Sequence, residues 1–232
     1  MTLATMSAEL EVVEVQGVRI PIDPVVMSAS VQAQIRRGKY ERLEARMLPR
    51  IVEAGERIVE LGGGIGFLSA LVGLQGKADS IVVIEANPAL IPLIKETHRL
   101  NGVQAEVHNA AVVGVKDRET VPFHLHQDFW GSSMELIKAK QQSGVVDIPA
   151  WAIGDIIDAY SPTMLIMDVE GSETGVLKNV QLPGVRKVFM GIHHKVIGGE
   201  GVRSIFDFFS DQGFCYDAEH SQYAALLFSR ID

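Results

Sequence analysis

The chain has 232 residues, of which 47% are hydrophobic and 22% are charged. This composition is that of a globular protein and excludes a disordered tail, a collagen-like fibre or a disulfide scaffold, and the length suits one domain with one core. The chain carries 21 basic and 29 acidic residues, a net charge of −8. Because general nucleic-acid binding depends on neutralising phosphates, this charge argues against a nucleic-acid partner, although it does not exclude a local basic patch.

A single cysteine, Cys215, has no second cysteine in the chain with which to form a disulfide. A reducing compartment is therefore the default expectation. Residues 1–14 contain acids and no basic cluster, so we expect no signal peptide. No apolar run approaches the roughly 18 residues that a membrane span needs. We expect a cytoplasmic protein with no membrane partner.

The first 55 residues are predicted to form an N-terminal hairpin and helical extension. Strand-forming residues in 9–22 flank a turn at Gln16 and Gly17, which predicts a short β-hairpin. Residues 28–55 are predicted to be helical and divided at Gly38 and Pro49, because glycine weakens a helix and proline breaks its hydrogen-bond ladder. Residues 56–232 would then form the principal domain. The hairpin could pair across a homodimer, although nothing in the sequence requires it.

From residue 57 onward, short apolar runs alternate with segments of helical character. This alternation predicts an α/β fold with a doubly wound, mostly parallel sheet. The continuous apolar character of most runs fits strands that are buried on both faces. The predicted strands are 58–61, 81–84, 105–108, 164–167, 188–192 and 224–228, and the predicted helices between them are 67–74, 89–100, 174–179 and 202–212.

Residues 121–153 interrupt this alternation. In 121–126 apolar and polar residues alternate with period two, which predicts an edge strand with one wet face. Residues 148–153 are expected to return beside it. We therefore predict an inserted β-hairpin between two strands of the core sheet.

A glycine-rich turn follows the first strand of the principal domain. Glycines let the backbone turn sharply and approach a ligand closely, and free N–H groups at the following helix start favour polar or anionic groups. The dinucleotide pattern G-x-G-x-x-G fails in both registers, at Phe67 and at Ser69, which argues against an NAD dehydrogenase. The observed spacing is E-x-G-x-G-x-G, formed by Glu60, Gly62, Gly64 and Gly66, and it resembles the first motif of S-adenosylmethionine-dependent methyltransferases.

Two further strand ends support a nucleoside ligand. Glu85 follows the strand at 81–84 and lies 19 residues after Gly66, where a carboxylate can accept hydrogen bonds from both ribose hydroxyls. Asn109 follows the next strand, and its side chain could reach an adenine edge. Ala110 is small and leaves room for the ring.

Taken together, these motifs resemble the FkbM-family methyltransferases. The resemblance rests on Gly-Lys-Tyr-Glu at 38–41, the turn at 60–66, Glu-Ala-Asn-Pro at 85–88, Asn-Ala-Ala at 109–111, the serines at 132–133 and, above all, Asp-Val-Glu-Gly-Ser-Glu at 168–173. It implies a Rossmann-like class I methyltransferase that uses S-adenosyl-L-methionine and methylates a hydroxyl of a small molecule or sugar. The cofactor-binding residues expected on these grounds are Glu60, Gly62, Gly64, Gly66, Glu85, Ala86, Asn109, Ala110, Asp168 and Tyr40.

Catalytic groups are expected at two neighbouring strand ends, because ligands of doubly wound sheets lie beyond the carboxyl ends of the strands. We predict that Asp168, Glu170 and His193 are catalytic, with His193 as the general base, because neutral imidazole near pH 7 suits that role. Carboxylates beside histidine could hold a divalent metal, but histidine suits magnesium poorly and no spacing is diagnostic, so we expect none. The expected substrate or lid residues are Trp130, Ser132, Ser133 and His194.

Two alternatives remain open. A carboxylate-lined site could bind an amine, which would make the protein an N-methyltransferase of a small amine. The FkbM family often has glutamate where this chain has Gly191, which would fit a methyltransferase-like protein that binds a nucleoside without catalysis.

Overall fold

The computed structural model describes residues 10–126 and 142–231. Its centre is a seven-stranded sheet in the order β11-β12-β10-β9-β3-β4-β5. Strands β10, β9, β3, β4 and β5 are parallel, and β12 and β11 continue the sheet antiparallel. The strands of this sheet are β3 (Glu56–Leu61), β4 (Ala78–Glu85), β5 (Glu106–Asn109), β9 (Met164–Met167), β10 (Lys187–Gly191), β11 (Phe214–Gln222) and β12 (Ala225–Arg230).

Helices cover both faces of this sheet, which confirms the predicted doubly wound, Rossmann-like class I methyltransferase fold. Alternate residues of one strand enter different cores: Ile58 packs with the N-terminal extension, α3 and α4, whereas Val59 packs with α5 and α7. Side chains on a strand point alternately to its two faces, so a strand between two helical layers is apolar at most of its positions. The helices are α3 (Phe67–Gly73), α4 (Ile91–Asn101), α5 (Ile153–Tyr160), α6 (Glu173–Val176) and α7 (His194–Asp211).

The N-terminal extension contains the predicted hairpin, β1 (Glu11–Val15) and β2 (Val18–Ile22), with its turn at Gln16 and Gly17. Helices α1 (Ala29–Arg36) and α2 (Arg42–Ile51) follow. The prediction that Pro49 divides the helical segment is wrong, because Pro49 lies within the last turn of α2. A proline there removes one bond near a helix end, where the ladder is already incomplete. The division of the chain at residue 55 remains a prediction.

The predicted insertion is an antiparallel hairpin of β7 (Thr120–His126) and β8 (Gln142–Ala152). Strand β8 also pairs in parallel with β6 (Ala111–Val113), so the insertion forms a three-stranded sheet beside the main one. The proposed lid residues Trp130, Ser132 and Ser133 lie outside the described residues.

Several element boundaries differ from the sequence predictions. Helix α5 and strand β11 were not predicted, and α7 begins at His194 instead of residue 202 because it includes a kinked turn at Gly198. Helix α4 begins at Ile91, so the Asn87 side chain caps a local turn by accepting from the Ala89 N–H. No helix within the described ranges is long and apolar enough to cross a membrane.

Candidate functional site

A pocket opens at the carboxyl ends of β3, β4 and β9, where the chain leaves three adjacent parallel strands. Its volume is about 850 Å³ when the solvent-filled space at its open mouth is included. The insertion contributes Phe123 to its wall. Of the predicted site residues, the pocket is lined by Tyr40, Gly62, Gly64, Glu85, Ala86, Ala110, Asp168 and Glu170.

The remaining predicted residues lie outside this lining. They are the expected cofactor-binding residues Glu60, Gly66 and Asn109, the expected base His193 and the expected substrate or lid residue His194. The sequence analysis missed the apolar lining, which includes Ile84, Leu90, Val112 and Phe123. Ile84, Val112 and Phe123 lie within strands, and Leu90 directly precedes α4. An apolar residue at such a position carries no sequence signal that separates a pocket wall from the core.

The glycine turn brings β3 against the backbone of β9. Gly62 has φ +85°, and a Cβ placed on it would lie 1.9 Å from the carbonyl oxygen of Asp168. Gly66 has φ +76° and starts α3. Only glycine fits both a left-handed backbone and so close a neighbour, so the turn positions Asp168 as well as the pocket floor.

Glu85 joins the end of β4 to this turn. Its carboxylate accepts hydrogen bonds from the N–H of Gly64 at 2.9 Å and from the N–H of Asn87 at 2.7 Å. Burial raises the pKa of Glu85 to about 7, against the lowering effect of these backbone hydrogen bonds. The hydrogen bonds therefore fix the position of the carboxyl group, and with a pKa of about 7 both of its protonation states are populated near neutral pH.

The side chain of Asn109 links two neighbouring strand ends. Its side-chain amide donates to the backbone carbonyls of Glu85 and Ala86, at 2.8 and 2.9 Å. The amide thus ties the end of β5 to the end of β4. The predicted contact of Asn109 with an adenine edge remains a prediction.

Glu60 lies on β3, beneath the pocket, and is 1% exposed. Burial raises its pKa to about 8, with the Ser69 hydroxyl acting in the opposite direction. Its Oε2 has no hydrogen-bond partner within the described part of the chain. Glu60 is therefore held largely neutral near pH 7.

His193 lies among three carboxylates. Its Nδ1 is hydrogen-bonded to Glu173, and its Nε2 lies 3.1 Å from Oε2 of Glu170 and 3.5 Å from Oδ1 of Asp168. Glu173 is fully buried and also accepts from the N–H of Gly171. Adjacent His194 is exposed.

This environment determines the charge of His193. Burial lowers its pKa, but hydrogen bonds to Glu170 and Glu173 and the charge of Asp168 outweigh burial and raise it to about 11. The ring is therefore protonated at neutral pH, and a protonated ring cannot act as a general base. The predicted role of His193 as the base stays untested, and the electrostatics favour a different proton acceptor.

Asp168 is the better acceptor in this cluster. Burial and the neighbouring charge of Glu170 raise its pKa to about 7, while the charge of His193 lowers it. Its side chain is 34% exposed and lines the pocket. A carboxyl group with a pKa near the working pH can both take up and release a proton.

The same cluster has a spacing that a cation could use. One ligand atom from each of Asp168, Glu170 and His193 can be chosen so that all three lie within 4.8 Å of one another. The raised pKa of His193, about 11, instead favours a protonated ring as the positive charge between the two carboxylates. The expectation of no metal therefore remains a prediction.

Comparison with known proteins identifies the family. Residues 12–128, half of the chain, match the model of the TRM5/TYW2 methyltransferase domain. This stretch contains the glycine turn, Glu85 and Asn109, but it ends before Asp168. No curated protein sequence matches the chain.

Solved structures share the fold at low sequence identity. The tRNA (uracil-54, C5)-methyltransferase of Pyrococcus abyssi, in complex with S-adenosyl-L-homocysteine, has a TM-score of 0.52 and 14% identity over 96% of this chain and 44% of that protein. Trm5b of Pyrococcus abyssi has a TM-score of 0.50 and 15% identity over 96% of this chain and 56% of that protein. This chain thus spans about half the length of these two proteins.

These comparisons correct three expectations. The resemblance to the FkbM family is wrong, because the family model that matches is that of TRM5/TYW2. The expected acceptor, a hydroxyl of a small molecule or sugar, is wrong, and so is the expected absence of a nucleic-acid partner. The matching family model is that of TRM5/TYW2, and one of the solved structures that share the fold is a tRNA methyltransferase. The predicted cofactor, S-adenosyl-L-methionine, is confirmed. The chain belongs to the TRM5/TYW2 methyltransferase-domain family and is an S-adenosyl-L-methionine-dependent methyltransferase.

Proposed function

We propose that this chain transfers a methyl group from S-adenosyl-L-methionine to a nitrogen of a tRNA base. The observation that carries the proposal is the family match over residues 12–128. The fold shared with a tRNA methyltransferase of Pyrococcus abyssi supports tRNA as the substrate class.

The proposed cofactor position follows from the pocket lining. Glu85 would accept hydrogen bonds from the ribose hydroxyls, as acids at this strand end do in related folds. The adenine ring would lie between Leu90 and the small side chain of Ala110, both of which line the pocket. The backbone of Gly62 and Gly64 would approach the methionine part, which leaves the methyl group directed toward Asp168.

The chemistry of the site favours nitrogen over C5 of a pyrimidine. Methylation at C5 requires a nucleophile, such as a thiolate, that first adds to C6 of the ring. Cys215 is the chain's only cysteine, and it lies on the edge strand β11. Strand β11 is four strand positions from β3, a lateral distance of about 19 Å. The thiol is therefore too far from the pocket to activate a base there.

A nitrogen acceptor needs only a proton acceptor and correct positioning. The nitrogen lone pair forms the new bond to the methyl carbon while the carbon–sulfur bond breaks, which leaves S-adenosylhomocysteine. Any proton on that nitrogen would pass to the carboxylate of Asp168, whose pKa lies near 7. Positioning of the two reactants supplies most of the remaining rate enhancement.

The test is a methylation assay on an unmodified tRNA pool made by transcription, with radiolabelled S-adenosylmethionine and analysis of the digested nucleosides. We expect one base-methylated nucleoside. The change Asp168→Asn should reduce kcat by about 100-fold, the lower range for loss of a general base, while S-adenosylhomocysteine still binds. Absence of methylated nucleoside from folded protein that binds S-adenosylhomocysteine, or methylation on ribose or on C5, would overturn the proposal.

A further inference from the structure

The stretch from the end of α1 through α2 differs in charge from the rest of the molecule. Residues 36–50 contain six basic and two acidic residues, a net charge of +4. The other 217 residues contain 15 basic and 27 acidic residues, a net charge of −12. An acidic protein that acts on RNA needs a local positive surface, because RNA affinity comes largely from contacts with phosphates.

Five of these cations form what we call the basic face: Arg37, Lys39, Arg42, Arg46 and Arg50. All five are exposed. None of them has a side-chain hydrogen bond or an ion pair with any other residue that the structure describes. By contrast, Arg36 in the same segment is bound to Glu11, and many exposed cations elsewhere have carboxylate partners. The basic face is thus available to an external anion.

The arginines of α2 are arranged as a row. Arg42, Arg46 and Arg50 recur every four residues, which places them on one side of a helix, about 6 Å apart along its axis. The opposite side of α2 is buried through Ala45 and Leu48. The row therefore extends about 12 Å over the surface with its charges directed to solvent.

The row begins directly after two residues of the pocket lining. Tyr40 and Glu41 line the pocket, and they are flanked directly in the chain by Lys39 and Arg42. A strand of RNA whose phosphates lie along the basic face would therefore have a neighbouring base close to the pocket.

We propose that the basic face binds the phosphate backbone of the RNA next to the base that enters the pocket. This inference rests on the proposed function, because it takes RNA as the substrate, and it assigns the surface that overcomes the net negative charge. Arginine suits this role, since its guanidinium matches a phosphate with two hydrogen bonds.

The test measures binding of a fluorescently labelled tRNA transcript to the full chain, saturated with S-adenosylhomocysteine, between 50 and 200 mM KCl. The test variant combines Arg42→Gln, Arg46→Gln and Arg50→Gln. Each phosphate contact contributes about 0.7 to the slope of log K against log salt for a single strand, so loss of three contacts should reduce the slope by about 2. At 0.1 M salt the same loss should weaken binding about 100-fold.

The control combines Lys95→Gln, Lys178→Gln and Arg203→Gln, which removes three exposed positive charges elsewhere on the surface, of which Arg203 is paired with Asp207. Both variants should keep the wild-type affinity for S-adenosylhomocysteine and the wild-type unfolding midpoint. We expect the control to retain tRNA affinity within about threefold, because distant surface charges are screened at this salt concentration.

Three results would overturn the proposal: equal loss of tRNA affinity in both variants, absence of salt-dependent tRNA binding to the wild type, or binding of anionic phospholipid vesicles through the same arginines in place of tRNA. The experiments distinguish failure of this proposal from failure of the proposed function. If tRNA binds through the arginines but is not methylated, that function fails and the basic face stands. If tRNA is methylated with the same KM by the arginine variant, the basic face fails and the function stands.

Discussion

Gly62 and Asp168 are in direct backbone contact, across the two central strands that carry the cofactor turn and the acidic cluster. A Cβ on Gly62 would lie 1.9 Å from the carbonyl oxygen of Asp168. At the same point the Asp168 N–H donates to the Leu61 carbonyl at 2.9 Å. The turn proposed to receive the cofactor and the carboxylate proposed to take the proton therefore form one structural unit.

Replacement of Gly62 by alanine tests this unit. The new methyl group must push β3 and β9 apart, and the alanine backbone must adopt φ +85°. We therefore expect a loss of about 3 kcal/mol or more in the free energy of unfolding. Binding of S-adenosylhomocysteine should be lost as well. The control is Gly102→Ala, at φ +64° with nothing within 4 Å of the new Cβ, which should cost about 1–2 kcal/mol of backbone strain alone. Denaturant unfolding measures both, and equal losses would contradict the close contact.

Cofactor affinity should depend on pH through Glu85. Its pKa is raised to about 7 by burial, and only the ionised carboxylate can accept hydrogen bonds from both ribose hydroxyls. At pH 6 about one tenth of the protein has this group ionised, so the affinity for S-adenosylhomocysteine should rise about tenfold between pH 6 and 8. Calorimetric titration at several pH values measures this change. Glu85→Gln should bind S-adenosylhomocysteine more weakly and should lack this part of the pH dependence. If its affinity changes with pH as in the wild type, Glu85 is not the group that titrates.

His98 should make the fold sensitive to acid. It is 4% exposed, with Nε2 2.9 Å from the Ser69 hydroxyl, and burial lowers its pKa to about 4. Between pH 6.5 and 4 the unfolded chain binds this proton and the folded chain does not, so stability is present above pH 6.5 and is lost as the pH falls. The loss should approach 3 kcal/mol, on the order of 1.4 kcal/mol per pH unit.

The difference between His98→Gln and the wild type isolates this effect from other groups. The free-energy gap between the two proteins should shrink as the pH falls from 6.5 to 4. The comparison is His194→Gln, at an exposed position. The free-energy gap between this variant and the wild type should stay constant over the same pH range. A gap that stays constant for His98→Gln would show that His98 is not buried in its neutral form.

Divalent metal should leave the protein unaffected. Because protonated His193 already lies between Asp168 and Glu170, a cation would have to displace a proton from a ring whose pKa is about 11. We expect EDTA, Mg²⁺ and Mn²⁺ to change neither methylation nor the unfolding midpoint at pH 7.5. A midpoint raised by Mn²⁺ in the wild type, and not in His193→Gln, would instead establish a metal site.

The sequence alone determined the fold class, the cofactor and most of the pocket floor. Local rules carried these predictions, because a continuous apolar run indicates a strand buried on both faces and the spacing of Glu60, Gly62, Gly64 and Gly66 follows from backbone constraints at one turn. The family assignment failed for a related reason: the motif at 168–173 and the turn are short, whereas the matching family model extends over residues 12–128.

Only the tertiary structure decided the charge state of the site and the surface around it. His193 becomes an ion-paired cation because β9, α6 and α7 bring Asp168, Glu170 and Glu173 to its ring from 20 or more residues away in sequence. The net charge of −8 argued against a nucleic-acid partner, although basic residues are concentrated at 36–50. Only the structure shows that Arg42, Arg46 and Arg50 are exposed and have no ion-pair partner among the described residues. Electrostatic interactions depend on distances in space and on burial, and a sequence specifies neither until the strands are ordered in the sheet.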